Sequence, residues 1–200
     1  MSSRLVVNSV RHTGASADGI TLDSSGNVTF PANATCSGTA TGFGKFTKYA
    51  VICDQKAQGT GGGTFTLGAW RTRDLNTEIT DADGIVSISS NQFTLQAGTY
   101  FLKASAPCVK ATNNQAALYN VTDSSFVQYG TNALAHISYI GFSNSLISAR
   151  FTISSAKVFE IRHFSSHTNA TNGFGPSFSS GDASNAGGVA IFTVVEIFKE

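Results

Sequence analysis

The 200-residue chain carries 13 Lys and Arg against 12 Asp and Glu, and its charged side chains amount to only 12%. That balance excludes the basic footprint of a nucleic-acid binder and the charge excess of an acidic, solvating tail. Twenty Gly, 15 Phe and 3 Pro, with few runs of Ala, Leu, Glu and Lys, predict an all-β chain with almost no helix and one main core.

The opening, "MSSRLVVNSVRHTG", lacks the apolar core of a secretory signal, and no stretch approaches the length of a membrane span. The expectation is a chain made in a cytosol, without membrane insertion, and with its three cysteines, Cys36, Cys53 and Cys108, reduced and buried. The Asn-x-Thr triplets at Asn27, Asn33, Asn120 and Asn169 are then chance products of composition.

Residues 1–44 differ from the rest. Small apolar pairs, Ile20 with Leu22 and Val28 with Phe30, flank the turn signal "DSSGN", and Leu5 and Val7 precede them. Strands this short cannot bury a core alone, so the segment is expected to serve as an anchor or stem, ordered by a neighbour. "SGTATGFG" (37–44) reads as a linker.

From residue 45 to 200 short strands are predicted at 47–53, 64–71, 85–89, 92–95, 99–107, 115–120, 125–129, 147–155, 158–165 and 189–198, the spacing of a sandwich. In "FTLQAGTYFLKASAP" (93–107), Leu102, Ala104 and Ala106 alternate with Lys103 and Ser105, as a half-buried strand requires. The last strand, "GVAIFTVVEIFK", is apolar on both faces: Ala190, Phe192, Val194 and Phe198 on one, Ile191, Val195 and Ile197 on the other. A strand apolar on both faces needs cover from beyond its own sandwich, most simply from a symmetry-related subunit.

Chemical motifs are sparse. "GFGK" (42–45) fails as a phosphate loop because Thr39 and Phe46 stand where Gly and Ser or Thr are required, and "GTGGGT" (59–64) reads as a flexible loop. "DADG" (81–84) reads as an Asp-Gly turn, since the later ligands of a calcium loop are missing. His163 and His167 would meet on a metal only on a helix. "VFEIRHF" instead alternates as a strand, with Phe159, Ile161 and His163 on one face. The expectation is therefore no enzyme, no metal and no cofactor; a polysaccharide hydrolase would have only Asp81 and Asp83 to work with.

The pieces "AWRTRDLNTE" (69–78), "FTLQAGTYFLKASAP" (93–107), "ALYNVTD" (117–123), "RFTISSAKVFEIRHF" (150–164) and the terminal "VEIFKE" resemble the jelly-roll head shared by tumour necrosis factor and the globular head of complement's first component. The resemblance implies an antiparallel jelly-roll sandwich and a homotrimer, with Tyr100, Phe192, Val194 and Phe198 at the subunit interface. Residues 3–38 are similar to the N-terminal segment of structural and tail-fibre proteins of marine phages, particularly cyanophages. Together the two imply a non-enzymatic virion protein, made in the host bacterial cytoplasm and displayed on the particle. It would be a short trimeric tail-associated fibre whose head contacts a host-surface glycan or protein. The alternative is a capsid decoration trimer. Its partners are further copies of itself and tail, baseplate or capsid proteins. Contact loops are expected at 54–63, 108–115, 130–146 and 166–188, with Asn113, Asn114, Asn132, His136, Tyr139, His167, Asn169 and Phe174 as candidates.

Overall fold

The computed structural model describes residues 7–30, 46–138, 141–176 and 188–200. Leu5, Cys36, Tyr139 and the 37–44 linker lie outside them. The chain divides into two compact units, Met1–Phe43 and Gly44–Glu200. Every regular element among the described residues is a strand.

The first unit holds a three-stranded antiparallel meander: β1 (Ser9–Val10), β2 (Ile20–Leu22) and β3 (Val28–Thr29). Its turn is closed by Asp23, whose Oδ1 accepts the backbone N–H groups of Ser25 and Asn27 at 2.8 and 2.9 Å. The Asn27 side-chain amide, donating to Asp23 Oδ2 at 2.7 Å, and then these backbone bonds hold the Asp23 carboxyl below its ordinary pKa. So small a meander buries almost nothing among its described residues. Val7, Val10, Leu22, Val28 and Phe30 are exposed, and Ile20 is half-buried.

The second unit is a sandwich. One sheet has the order β12 (Phe142–Ile153), β9 (Gly98–Val109), β14 (Val189–Lys199), β4 (Lys48–Ala57), β6 (Thr77–Thr80). The other runs β11 (Ser125–Ala135), β10 (Thr112–Asn120), β13 (Lys157–Ser165), β8 (Gln92–Leu95), β7 (Val86–Ser89), and the short β5 (Arg71–Thr72) also pairs with β13. The pairing is nested: β4 with β14, β8 with β13, β9 with β12, β10 with β11. Successive pairs fall in alternate sheets. One long antiparallel ribbon has been rolled over on itself, which is the jelly roll.

The alternation read in β9 sends Tyr100, Leu102, Ala104 and Ala106 inward, against Phe93, Leu95, Leu118, Phe159 and Ile161 of the other sheet. The alanines let the sheets approach, and Phe93 stacks on Phe159 at 5.7 Å. Turn chemistry agrees with the sequence. Ser90 and Asn91 both take positive φ between β7 and β8, the two-residue turn that matches strand twist. Asp81 accepts N–H bonds from Ile85 and Val86 at 2.9 Å, with Gly84 at φ +62°.

Three expectations need correction. The strand predicted at 64–71 reduces to a single bridge, Phe65 with Asn169, followed by β5. The loops predicted at 108–115 and 130–146 are largely β9, β10, β11 and β12, because Asn- and Ser-rich strand ends near a sheet edge need no apolar alternation. The face assignment of the last strand breaks at Phe192. The β14–β4 register shifts between Ile191 and Val194, so Phe192 and Thr193 are buried in succession. Phe192 therefore joins the inward Val195 and Ile197, whereas Val194 and Phe198 stay on the outer face.

Candidate functional site

Three groups of side chains in the sandwich carry chemistry beyond plain packing. The first is the outer face of the five-stranded sheet. Register places Tyr49, Phe198, Phe101 and Arg150 in one row across β4, β14, β9 and β12. Phe198 lies 4.8 Å from Tyr49 and 6.1 Å from Phe101, and Phe46 closes the cluster at 5.4 Å from Phe198. Phe46 is 43% and Tyr49 39% exposed. The next row pairs Glu196 with Lys103, and a third aligns Val194, Ser105 and Leu146. Of the four residues expected at a subunit interface, Val194 and Phe198 lie on this face. Tyr100 and Phe192 do not. Tyr100 is fully buried between the sheets, its hydroxyl donating to the Gln96 carbonyl at 2.8 Å, and Phe192 packs inside over Gly175.

The second group is a buried polar centre. Arg73, fully buried, donates to Thr193 Oγ1 (2.7 Å), the Pro107 carbonyl (3.0 Å) and the Phe174 carbonyl (2.7 Å), with its guanidinium 4.2 Å from the Phe174 ring. Burial pushes its pKa down to about 10, partly offset by the buried carboxylate of Asp54, so it stays charged at neutral pH. Asp54 is itself raised by burial, against the pull of Lys56 2.9 Å away. His163 Nε2 meets Asn114 Oδ1 at 3.0 Å, and its ring lies 4.7 Å from Phe65. Burial and the Arg73 cation hold His163 well below 6.5, while burial raises the thiols of Cys53 and Cys108.

His163 sets a pH dependence whose sign follows from that shift. The unfolded chain protonates first as pH falls, so this contribution to stability is complete above about pH 6.5 and is lost below it. Protonation would also put a proton on Nδ1, which has no partner. Denaturant melts at pH 7.5 and 5.0 are expected to show a loss that His163→Gln largely removes; equal losses in both proteins would contradict it.

The third group is the outer face of the other sheet. Gln115 of β10 stands between Asn132 of β11 and Phe164 of β13, one row across three strands. Asn113, Gln115, Asn132, Ala133, Phe164 and Ser166 line a cleft of about 360 Å³, bordered also by Asn114. Gln115 Nε2 donates to the Gly130 carbonyl at 3.0 Å, and the Ser166 and Thr112 hydroxyls are hydrogen-bonded. Beyond Phe164 the face is aromatic. Trp70 lies 5.8 Å from Phe164, 5.0 Å from Phe126 and 5.9 Å from Tyr129, and the Arg162 guanidinium sits 3.3 Å over Tyr119.

The structure thus brings Asn113 and Asn132 together at this cleft. Asn114 turns inward, its amide donating to the carbonyls of Thr112 and Ala133 at 3.1 Å. Phe174 is buried against Phe65 and Arg73, so it cannot be a contact residue. Asn169 is a loop pin, donating to the Val109 carbonyl at 2.7 Å. His136 and His167 are exposed and separate from the cleft. Arg73 and Trp70 went unassigned in the sequence; Arg73 shares its parity with buried Leu75, the one available signal. Among the described residues no group of three or more His, Cys, Asp and Glu could hold a metal ion.

No protein-family model matches the chain, and no curated protein matches it. Solved structures do. The globular domain of zebrafish complement 1qA protein is 12% identical, over 76% of this chain and 97% of that one, with a TM-score of 0.48. Murine APRIL at pH 5.0 is 7% identical, over 76% of this chain and all of that one, also at 0.48. Eiger TNF from S. frugiperda is 7% identical over 78% of this chain and 94% of that one, at 0.51. Taken with the nested strand pairing, the likeness to Eiger TNF makes the second unit a jelly roll of the tumour-necrosis-factor type.

Proposed function

We propose that this protein is a non-enzymatic virion component of a tailed bacteriophage, a short trimeric tail-associated fibre. Its N-terminal unit docks on the particle and its jelly-roll head contacts the host surface. The observation that carries the reading is the aromatic row Tyr49, Phe198 and Phe101 on the outer face of a sheet whose inner face already forms the core. An apolar face left to water asks for cover. Head-to-tail contacts made through such a face close into a ring when the rotation allows; three copies is the ring the jelly-roll resemblance implies.

The anchor role is supported by the exposed Val10, Val28 and Phe30 of the N-terminal unit, and by the resemblance of residues 3–38 to structural and tail-fibre proteins of phages. Three heads on one stem turn weak contacts into lasting attachment through effective concentration, without catalysis. Deleting residues 1–44 is expected to leave a soluble trimer that no longer joins particles. An antibody fragment against the head, seen by cryo-electron microscopy on intact particles, should mark the tail. Label over the shell would make the protein a capsid decoration trimer instead.

A further inference from the structure

We propose that the cleft bounded by Asn113, Gln115 and Asn132, with Phe164 as its aromatic wall and Trp70 packed against Phe164, binds a pyranose ring of an uncharged surface glycan; this rests on the attachment reading above. The cleft's volume of about 360 Å³ falls in the range of small-molecule sites. No ionisable side chain lines it, so a phosphate or acidic ligand would find no counter-charge there.

The residue types fit one ligand chemistry. A carboxamide presents a donor and an acceptor side by side, and each hydroxyl of a sugar is both donor and acceptor, so Asn113, Gln115 and Asn132 can each engage neighbouring hydroxyls. A pyranose also has an apolar C–H face that lies flat on an aromatic ring, which Phe164 offers next to the amides, with Trp70 beyond it. Tyr129, 49% exposed, extends that surface away from the cleft, giving room for a second sugar unit.

The site is also preorganised. Asn132, Gln115 and Phe164 are fixed by ladder register across three strands, and Gln115 Nε2 is held by the Gly130 carbonyl, which leaves its side-chain oxygen to accept. Little side-chain freedom is then lost on binding. The face belongs to the sheet opposite the proposed aromatic subunit contact.

Trp70 is the only tryptophan of the chain, and its emission therefore reports on this surface directly. The full-length protein is titrated with maltotetraose, cellotetraose, mannotetraose and chitotetraose. At least one is expected to change Trp70 emission saturably, with Gln115→Ala and Asn132→Ala each weakening binding about three- to tenfold. Ser148→Ala, on the opposite sheet, should bind as wild type. No saturable change with any of the four, or a saturable change indifferent to both variants, overturns the site. Particles carrying both variants that still attach to cells like wild type overturn it while leaving attachment intact. Particles that attach equally well without the protein overturn the attachment reading itself.

Discussion

Arg73→Leu is expected to destabilise the head by about 4 kcal/mol, the loss typical of removing one partner from a buried ionic centre. Three acceptors lose their donor at once: Thr193 Oγ1 and the carbonyls of Pro107 and Phe174. Each sits where water cannot replace the bond, and Asp54 loses the nearby cation that offsets its own burial. The bonds also tie together parts far apart in the chain, since β14, the end of β9 and the loop carrying Phe174 all bond this one guanidinium. For a domain of this size the thermal midpoint should fall by roughly 10 °C. Arg73→Lys should recover little, because one ammonium cannot reach three acceptors held by a planar fork. A midpoint within a degree or two of wild type would show that the centre is incidental to stability.

Phe101→Asp combined with Phe198→Asp is expected to convert the proposed trimer to monomers while leaving the sandwich folded. Both rings lie on the outer face of the sheet, so neither substitution puts a charge among the core residues Leu102, Val195 and Ile197. In an assembled ring the same carboxylates would be buried without partners, at a cost of several kcal/mol for each site. Light scattering reads the mass and far-UV circular dichroism reads the fold. Phe192→Asp is the instructive contrast: that ring is inside, against Gly175, and the change should unfold the head rather than dissociate it. An intact trimer from the double variant would place the subunit contact elsewhere.

The contrast between Phe192 and Phe198 shows where the sequence was legible. Period-two alternation correctly oriented β9, from Leu102 to Ala106, and β13, from Phe159 to His163, because those strands are regular and half-buried. It failed in β14, where a bulge between Ile191 and Val194 inverts the parity and no residue type announces it. Tyr100 was misplaced for a different reason. Its parity with Leu102 points inward, whereas its place at the interface follows only from the jelly-roll resemblance. The candidate cleft was half visible: Asn113 and Asn132 were plausible contact residues by type. That Gln115 and Phe164 stand beside them depends on pairing between strands far apart in sequence, which composition and spacing do not encode. Asn114 and Phe174 have the same composition signal as their neighbours and are buried, which only packing decides.

The central claim is that an exposed aromatic sheet face brings copies of this chain together in threes, and sedimentation equilibrium of the full-length protein tests it most directly. The account predicts one species at three times the chain mass of 20.9 kDa, unchanged on dilution until the aromatic row is replaced by Asp. A monomer at all accessible concentrations, or a dimer indifferent to Phe101→Asp and Phe198→Asp, would contradict it.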